Sequence, residues 1–147
     1  MTLPDGTGWL ALLLVAVLWL LGAHNRITAL KAAVLSAWQQ VDAALQARGQ
    51  ALATLLQAVA GPLASEAAAL DAVAQAQAQV QAAADVVRRA PAAADPVADL
   101  GKADAVLAAV LVRLLALTEQ QPALLADPAV GDTLKTLREL PARLAFA

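Results

Sequence analysis

Between Asn25 and Gly61 the chain carries no proline and no cluster of turn residues. Large apolar side chains recur there at Ile27, Leu30, Val34, Trp38, Val41, Leu45, Leu52, Leu55 and Val59. The steps are three or four residues, with a single step of seven across Arg48 and Gly49. That spacing sets the side chains along one face of a helix as a heptad-like seam. At 3.6 residues per turn the stretch amounts to about ten turns. A stripe of that length has to be buried, and only other helices offer a matching surface. The seam therefore confines the chain to a helical fold before the remaining residues are considered.

Composition agrees. Apolar residues make up 61% of the 147 positions but aromatics only 3%, because alanine supplies much of the apolar content. Alanine, leucine and glutamine are strong helix formers, and the valines form no alternating run that would suit a strand. The expected class is all-α. An alanine-rich core contributes little apolar area per residue, so close approach of helices and further partners must make up the difference.

Ahead of the seam lies Trp9–Ala23, WLALLLVAVLWLLGA, without a charged group. It is short against the about 17–20 residues a bilayer core requires, but Thr7 and Gly8 at one end and His24 and Asn25 at the other extend it. The sequence predicts a single membrane anchor, continuous with the seam helix. A cleaved signal peptide would want a basic lead, and all ten Lys and Arg lie at or after Arg26. A helix buried in a protein assembly is the remaining alternative. His24, Arg26 and Lys31 follow the span, so the positive-inside rule puts the short N-terminus outside and the helical region in the cytoplasm. The chain thus divides into a lead and anchor, residues 1–24, and a helical region, residues 25–147.

Gly61-Pro62 stops the long helix, and Ser65 or a neighbour starts the second. Leu63, Leu70, Val73, Val80 and Val87, with Ala76 and Ala84, mark its buried face, and Arg88 and Arg89 suit its C-terminal dipole. Ala90–Pro96 is a linker in which Asp95 reads as an N-cap and Pro96 as the first helical residue. The third helix carries Val97, Leu100, Leu107, Val110, Leu111, Leu114 and Leu117, and ends near Gln121-Pro122. Leu124 and Leu125 pack the turn. Asp127-Pro128 opens a fourth helix with Val130, Leu134, Leu137 and Leu144, and Pro141 is expected to weaken or kink it.

Little here carries chemistry. A net charge of −2 gives no footprint for nucleic acid. Cysteine is absent and His24 is the only histidine, so a thiolate site or a two-histidine metal site cannot form within one chain. Gly6-Thr7-Gly8 has no strand before it and no lysine after it, unlike a phosphate loop. Ser36 and Ser65 lack a histidine partner. Asp42, Glu66, Asp71 and Asp85 stand singly along helices and read as solvated faces rather than acid–base pairs. No cofactor and no small-molecule substrate is evident. Trp38 reads as a core anchor, with an interface role as the alternative. Arg48 reads as an exposed cation or as the partner of an acid on a neighbouring helix.

These residues resemble the signature of the LemA family. The resemblance runs through Asn25, Val34, Ala37-Trp38, Asp42 and Arg48 in the long helix, then Val59, Gly61 and Glu66. It continues through Leu114-Leu115, Glu119, Pro122, Leu124 and Ala126, covering nearly the whole chain up to Leu144. Its order and spacing are fairly specific, although no single motif is. Several polar positions depart from the family pattern: His24-Asn25 stands for its Tyr-Asn, Ala47-Arg48 for its Arg-Arg, and Gln121-Pro122 for its Tyr-Pro. Gln50-Ala51-Leu52-Ala53-Thr54 replaces its Asp-Leu-Ile-Pro-Asn, and its closing Arg…Tyr-Asn is absent. The resemblance implies an N-terminally anchored, antiparallel bundle of four helices, and no reaction. It marks Asn25, Trp38, Asp42, Arg48 and Glu66 as candidates for packing or interaction. The expected partners are membrane lipid and either further copies of the chain or other membrane proteins. The expected function is that of a non-enzymatic membrane-anchored scaffold, with a signalling module transmitting through the long helix as the alternative.

Overall fold

A computed structural model describes residues 5–145 of the protein, which are helical apart from short connections. Helix α1 runs without a break from Asp5 to Val59. No loop intervenes between Ala23 and Ile27, as expected where only Gly22, at about 1 kcal/mol, opposes a helix. Helix α2 covers Ala67–Arg89, α3 Ala94–Glu119, α4 Pro122–Leu125 and α5 Pro128–Ala145. A single 3-10 turn, Ala64–Glu66, precedes α2. The expected four helices are thus five among the described residues, because Pro122 opens a short helix of its own instead of leaving a turn.

The punctuation follows proline chemistry. Pro62 lacks a backbone donor and disfavours helical geometry at Gly61, so α1 stops at Val59. The Leu63 amide then donates back to the Val59 carbonyl at 2.9 Å, and the Leu63 side chain is buried. At the front of α5 Asp127 is the cap: its carboxylate accepts from the Ala129 amide at 2.9 Å, with Pro128 first in the helix. The front of α3 differs from expectation. Its cap is Ala93, in extended geometry, and Asp95 and Pro96 lie inside the first turn. Pro96 is tolerated there because the first four amides of a helix have no intrahelical acceptor, and Asp95 favours the helix dipole without capping it. Helix α5 continues through Pro141.

The chain separates into two compact units, Met1–Ser36 and Ala37–Ala147. In the first, α1 is apolar and exposed all round from Trp9 to Leu21, and one helix is long and apolar enough to cross a membrane. Ile27, Leu30 and Val34, expected on a buried seam, are exposed.

The second unit holds the core. Leu45, Leu52, Leu55 and Val59 from α1 meet Val73, Ala76, Val80, Ala84 and Val87 from α2. Leu100, Leu107 and Leu114 from α3, Leu124 from α4, and Val130, Leu134 and Leu137 from α5 complete it. Asp42 meets Arg88, and Gly49 lies beside Gln77 and Gln81, so numbering rises along α1 as it falls along α2 and the two run antiparallel. The seven-residue step in the α1 seam is filled: Arg48 is buried between Leu45 and Leu52. Two α3 positions depart from expectation. Val97 is exposed, and Thr118 is buried with its hydroxyl donating to the Leu115 carbonyl at 2.7 Å. The side chains of Leu125 and Leu144 lie outside the described ones.

Trp38 is only half-buried, packed against the rim of the core. The large-residue role expected of it passes to Leu52 and Leu55, which are fully buried. Leu52→Ala should therefore cost more stability than Trp38→Ala, about 3–4 kcal/mol against about 1–2 kcal/mol. Chemical denaturation of the two variants checks the order; equal losses would show that Trp38 is a core residue after all.

Candidate functional site

The five candidate residues do not converge on one place. Asn25 is exposed on α1 and lies in the first compact unit. Glu66, at the start of α2, lines a shallow hollow of about 120 Å³ with Ala69, Ala72, Val110 and Arg113. Trp38, Asp42 and Arg48 share α1, and the two charged ones each reach a different helix.

Asp42 faces the end of α2. Its Oδ1 accepts from Arg88 Nε at 2.9 Å and Nη2 at 2.6 Å, and its Oδ2 accepts from Gln46 Nε2 at 3.0 Å. Arg88 also donates to Asp85 through Nη1. The hydrogen bond to Asp42, helped by the charges of Asp42 and Asp85, holds the Arg88 guanidinium above its usual pKa in spite of the opposing effect of burial. A raised arginine pKa adds stability that is complete below the unfolded value and fades only as pH climbs through the folded one. Arg88 therefore keeps its positive charge across the working pH range. Three donors already occupy Asp42, which suits a strut between helices better than a base awaiting a proton.

Arg48 points the other way. Nη2 donates to Asp104 Oδ1 on α3; the Arg48 side chain is 7% exposed and that of Asp104 38%. The second alternative for Arg48, an acid on a neighbouring helix, is the one realised. Arg48 Nε is buried and has no hydrogen-bond acceptor among the described residues. Burying a guanidinium with one carboxylate leaves much of its desolvation uncompensated.

Beside this pair opens a cleft of about 340 Å³. Its floor and walls are apolar, chiefly Leu111 and Leu115 from α3 and Leu137 from α5. Arg48 and Asp104 stand at the lining, as does Arg138, which bonds Glu119 Oε1 at 2.5 Å. Asp104 balances Arg48 and Glu119 balances Arg138, so the two ion pairs leave no surplus charge at the cleft. Nothing in the sequence announced the cleft, because Ala108, Leu111 and Leu115 look like ordinary face residues until α5 is placed beside them. The only forewarning was Arg48 in a seam otherwise made of leucine and valine.

A second groove of about 380 Å³ is amide-lined, by Gln46 and Gln50 on α1 and Gln77 and Gln81 on α2. Gly49 leaves room for these amides: a Cβ there would stand 2.8 Å from Gln77 Nε2. No group of three or more His, Cys, Asp or Glu that could hold a metal occurs among the described residues.

Asp104→Ala should cost about 2–3 kcal/mol, less than the 3–5 kcal/mol of a fully buried pair because Asp104 is partly solvated. Arg48→Met keeps an apolar stem in the seam and should cost about 1 kcal/mol or less. Urea melts of both variants test this. An Arg48→Met loss as large as that of Asp104→Ala would mean that the ion pair itself, and not the stranded guanidinium, sets the energy.

In comparison with known proteins, the family model of the LemA family matches residues 37–147. The match begins at Ala37-Trp38 and takes in Asp42, Arg48 and Glu66, while Asn25 and Val34 precede it. No curated protein and no solved structure matches the chain.

Proposed function

The chain belongs to the LemA family, and on that footing we propose that it is a non-catalytic, membrane-anchored helical scaffold. It acts through self-assembly, or by presenting a helical face to other membrane proteins. The observation that carries this reading is the exposure of α1. Trp9, Leu10, Leu12, Leu13, Leu14 and Val15, and their successors to Leu21, are open on every side of the helix. A helix apolar all round belongs in lipid or among other helices. Ile27, Leu30 and Val34 add an apolar stripe outside the core, at heptad-like steps suited to a second helix. Ala11, Ala16, Gly22 and Ala23 supply small residues for close approach within a membrane. The candidate polar residues support the scaffold reading as well, since Asp42 and Arg48 bind helices to one another.

A signalling module that transmits through α1 is the second reading, favoured by the unbroken helix from Asp5 to Val59. Co-purifying proteins in native mass measurements separate the two, because a scaffold assembles without a stimulus.

The full chain in nanodiscs should give masses of two or more copies, shifting toward fewer on dilution. Alanine at Ile27, Leu30 and Val34 together should push that shift to at least tenfold higher protein concentration. A single-chain mass at every concentration, with no companion protein, would sink the proposal. Topology has its own test in this cysteine-free sequence. Thr2→Cys should react with an impermeant maleimide on intact cells and Thr133→Cys only after permeabilisation; the reverse pattern would invert the orientation.

A further inference from the structure

The exposed front of α1 carries a repeat that lipid alone does not call for. We propose that residues 16–34 pair with the same residues of a second copy as a parallel two-stranded coiled coil, in one seam running from the apolar segment into water. The inference rests on the self-assembly reading and deepens it, by naming the face, the orientation and the number of chains.

The register is the first argument. Leu20, Ile27 and Val34 recur every seven residues, as do Ala16, Ala23 and Leu30 between them. Set at the a and d positions of a heptad, the two series form a single stripe. Helix α1 is unbroken beneath it. Leu20, Ile27, Leu30 and Val34 are exposed, Leu30 by 60%. Lipid would accept these residues in any order, so a seven-residue repeat points to a helix. The residue types then select which helix. Branched Ile27 and Val34 at a, with Leu30 at d, favour two parallel strands over three or four. In the apolar half, Ala16 and Ala23 at d leave two backbones room to approach, as small residues do within a membrane.

The stripe is also continuous with a covered one. From Trp38 onward the α1 seam packs against the core of its own chain, through Trp38, Val41 and Leu45. Ahead of Ser36 the same three- and four-residue steps go on in the open. Copies anchored in one membrane point the same way, so a parallel pair is the one that forms. Confinement to the bilayer raises their effective concentration. Arg26 and Lys31 fall at g and e, and no acid lies between Trp9 and Val41. In a parallel pair Arg26 faces Lys31 of the second copy. Helical side chains lean toward the N-terminus, here the membrane side, so both cations reach anionic headgroups that neutralise them.

The sequence has no cysteine, so single cysteines report the register. In a parallel pair each a or d residue meets its own counterpart. The full chain is oxidised with copper–phenanthroline in membranes of the expressing cells. Ile27→Cys, Leu30→Cys and Val34→Cys should give a product of twice the chain mass. Its yield should be at least fivefold above that from Thr28→Cys, Ala32→Cys and Leu35→Cys. All six positions are exposed and lie outside the bundle core, as does Lys31. Lys31→Glu, which sets an acid against Arg26 of the second copy, should raise the Leu30→Cys yield at least twofold. Equal yields at all six positions, or a maximum at Leu35→Cys, would overturn the coiled coil. So would an unchanged or lower yield with Lys31→Glu. A product of any other mass would overturn it in favour of a different protein on this face. Absent cross-links beside native masses of two or more copies would remove the coiled coil and leave self-assembly through another face. Single-chain masses throughout would remove both.

Discussion

A guanidinium occupies the position where the α1 seam calls for a leucine, and much of the second unit is arranged around that substitution. Leu45, Arg48, Leu52, Leu55 and Val59 follow one another in steps of three and four along the buried face. The methylenes of Arg48 continue the apolar stripe while its head must reach a carboxylate. Asp104 meets it from α3, so the register of α3 against α1 is tied to a charge as well as to side-chain volume. Asp42 and Arg88 make the corresponding tie between α1 and α2. Hydrophobic packing alone tolerates exchange among similar shapes. Two charged cross-links at separate levels of one helix remove the slipped alternatives, since a shift would leave a buried guanidinium without its partner.

The packing between those ties is thin in material. Helix α2 buries Val73, Ala76, Val80, Ala84 and Val87, so its contribution comes from proximity and not from large side chains. Gly49 on α1 extends the same economy, letting the amides of Gln77 and Gln81 lie against the helix backbone. The heavier apolar load falls on Leu52, Leu55, Leu63, Leu107 and Leu114. Where α3 and α5 meet, the fit opens into the cleft by Arg48.

Elements were legible in the sequence where one rule acted alone. The proline stops, the Asp127 cap and the buried faces of α2 and α5 follow directly from turn chemistry and periodicity. The misreadings arose where two rules competed. Asp95-Pro96 has the form of a cap followed by a first residue, but Ala93 takes the cap because the alanines before Asp95 already favour helix. Ile27, Leu30 and Val34 carry the same period as the residues after them, and period cannot tell which turns have a neighbour. Trp38 was weighed by size, yet it falls at the edge of the core. For the candidate site, sequence could mark Asp42 and Arg48 as unusual for their positions. It could not supply Arg88 or Asp104, which lie 46 and 56 residues away and are chosen by the fold.

Among the described residues no backbone angle enters the left-handed region, at glycine or elsewhere. Every turn is made with dihedrals open to any L-amino acid. Positions that other folds must reserve for glycine are therefore free in this one, and the polypeptide has few residues it is obliged to keep for conformational reasons alone. Identity is demanded where a side chain is buried or paired, or where, as at Gly49, a neighbour lies close to the backbone. A chain with this property can wander far in composition, toward alanine in particular, while its architecture stands. Asp42, Arg48 and Glu119 are among the positions where identity is demanded, because their charges pair with partners elsewhere in the fold.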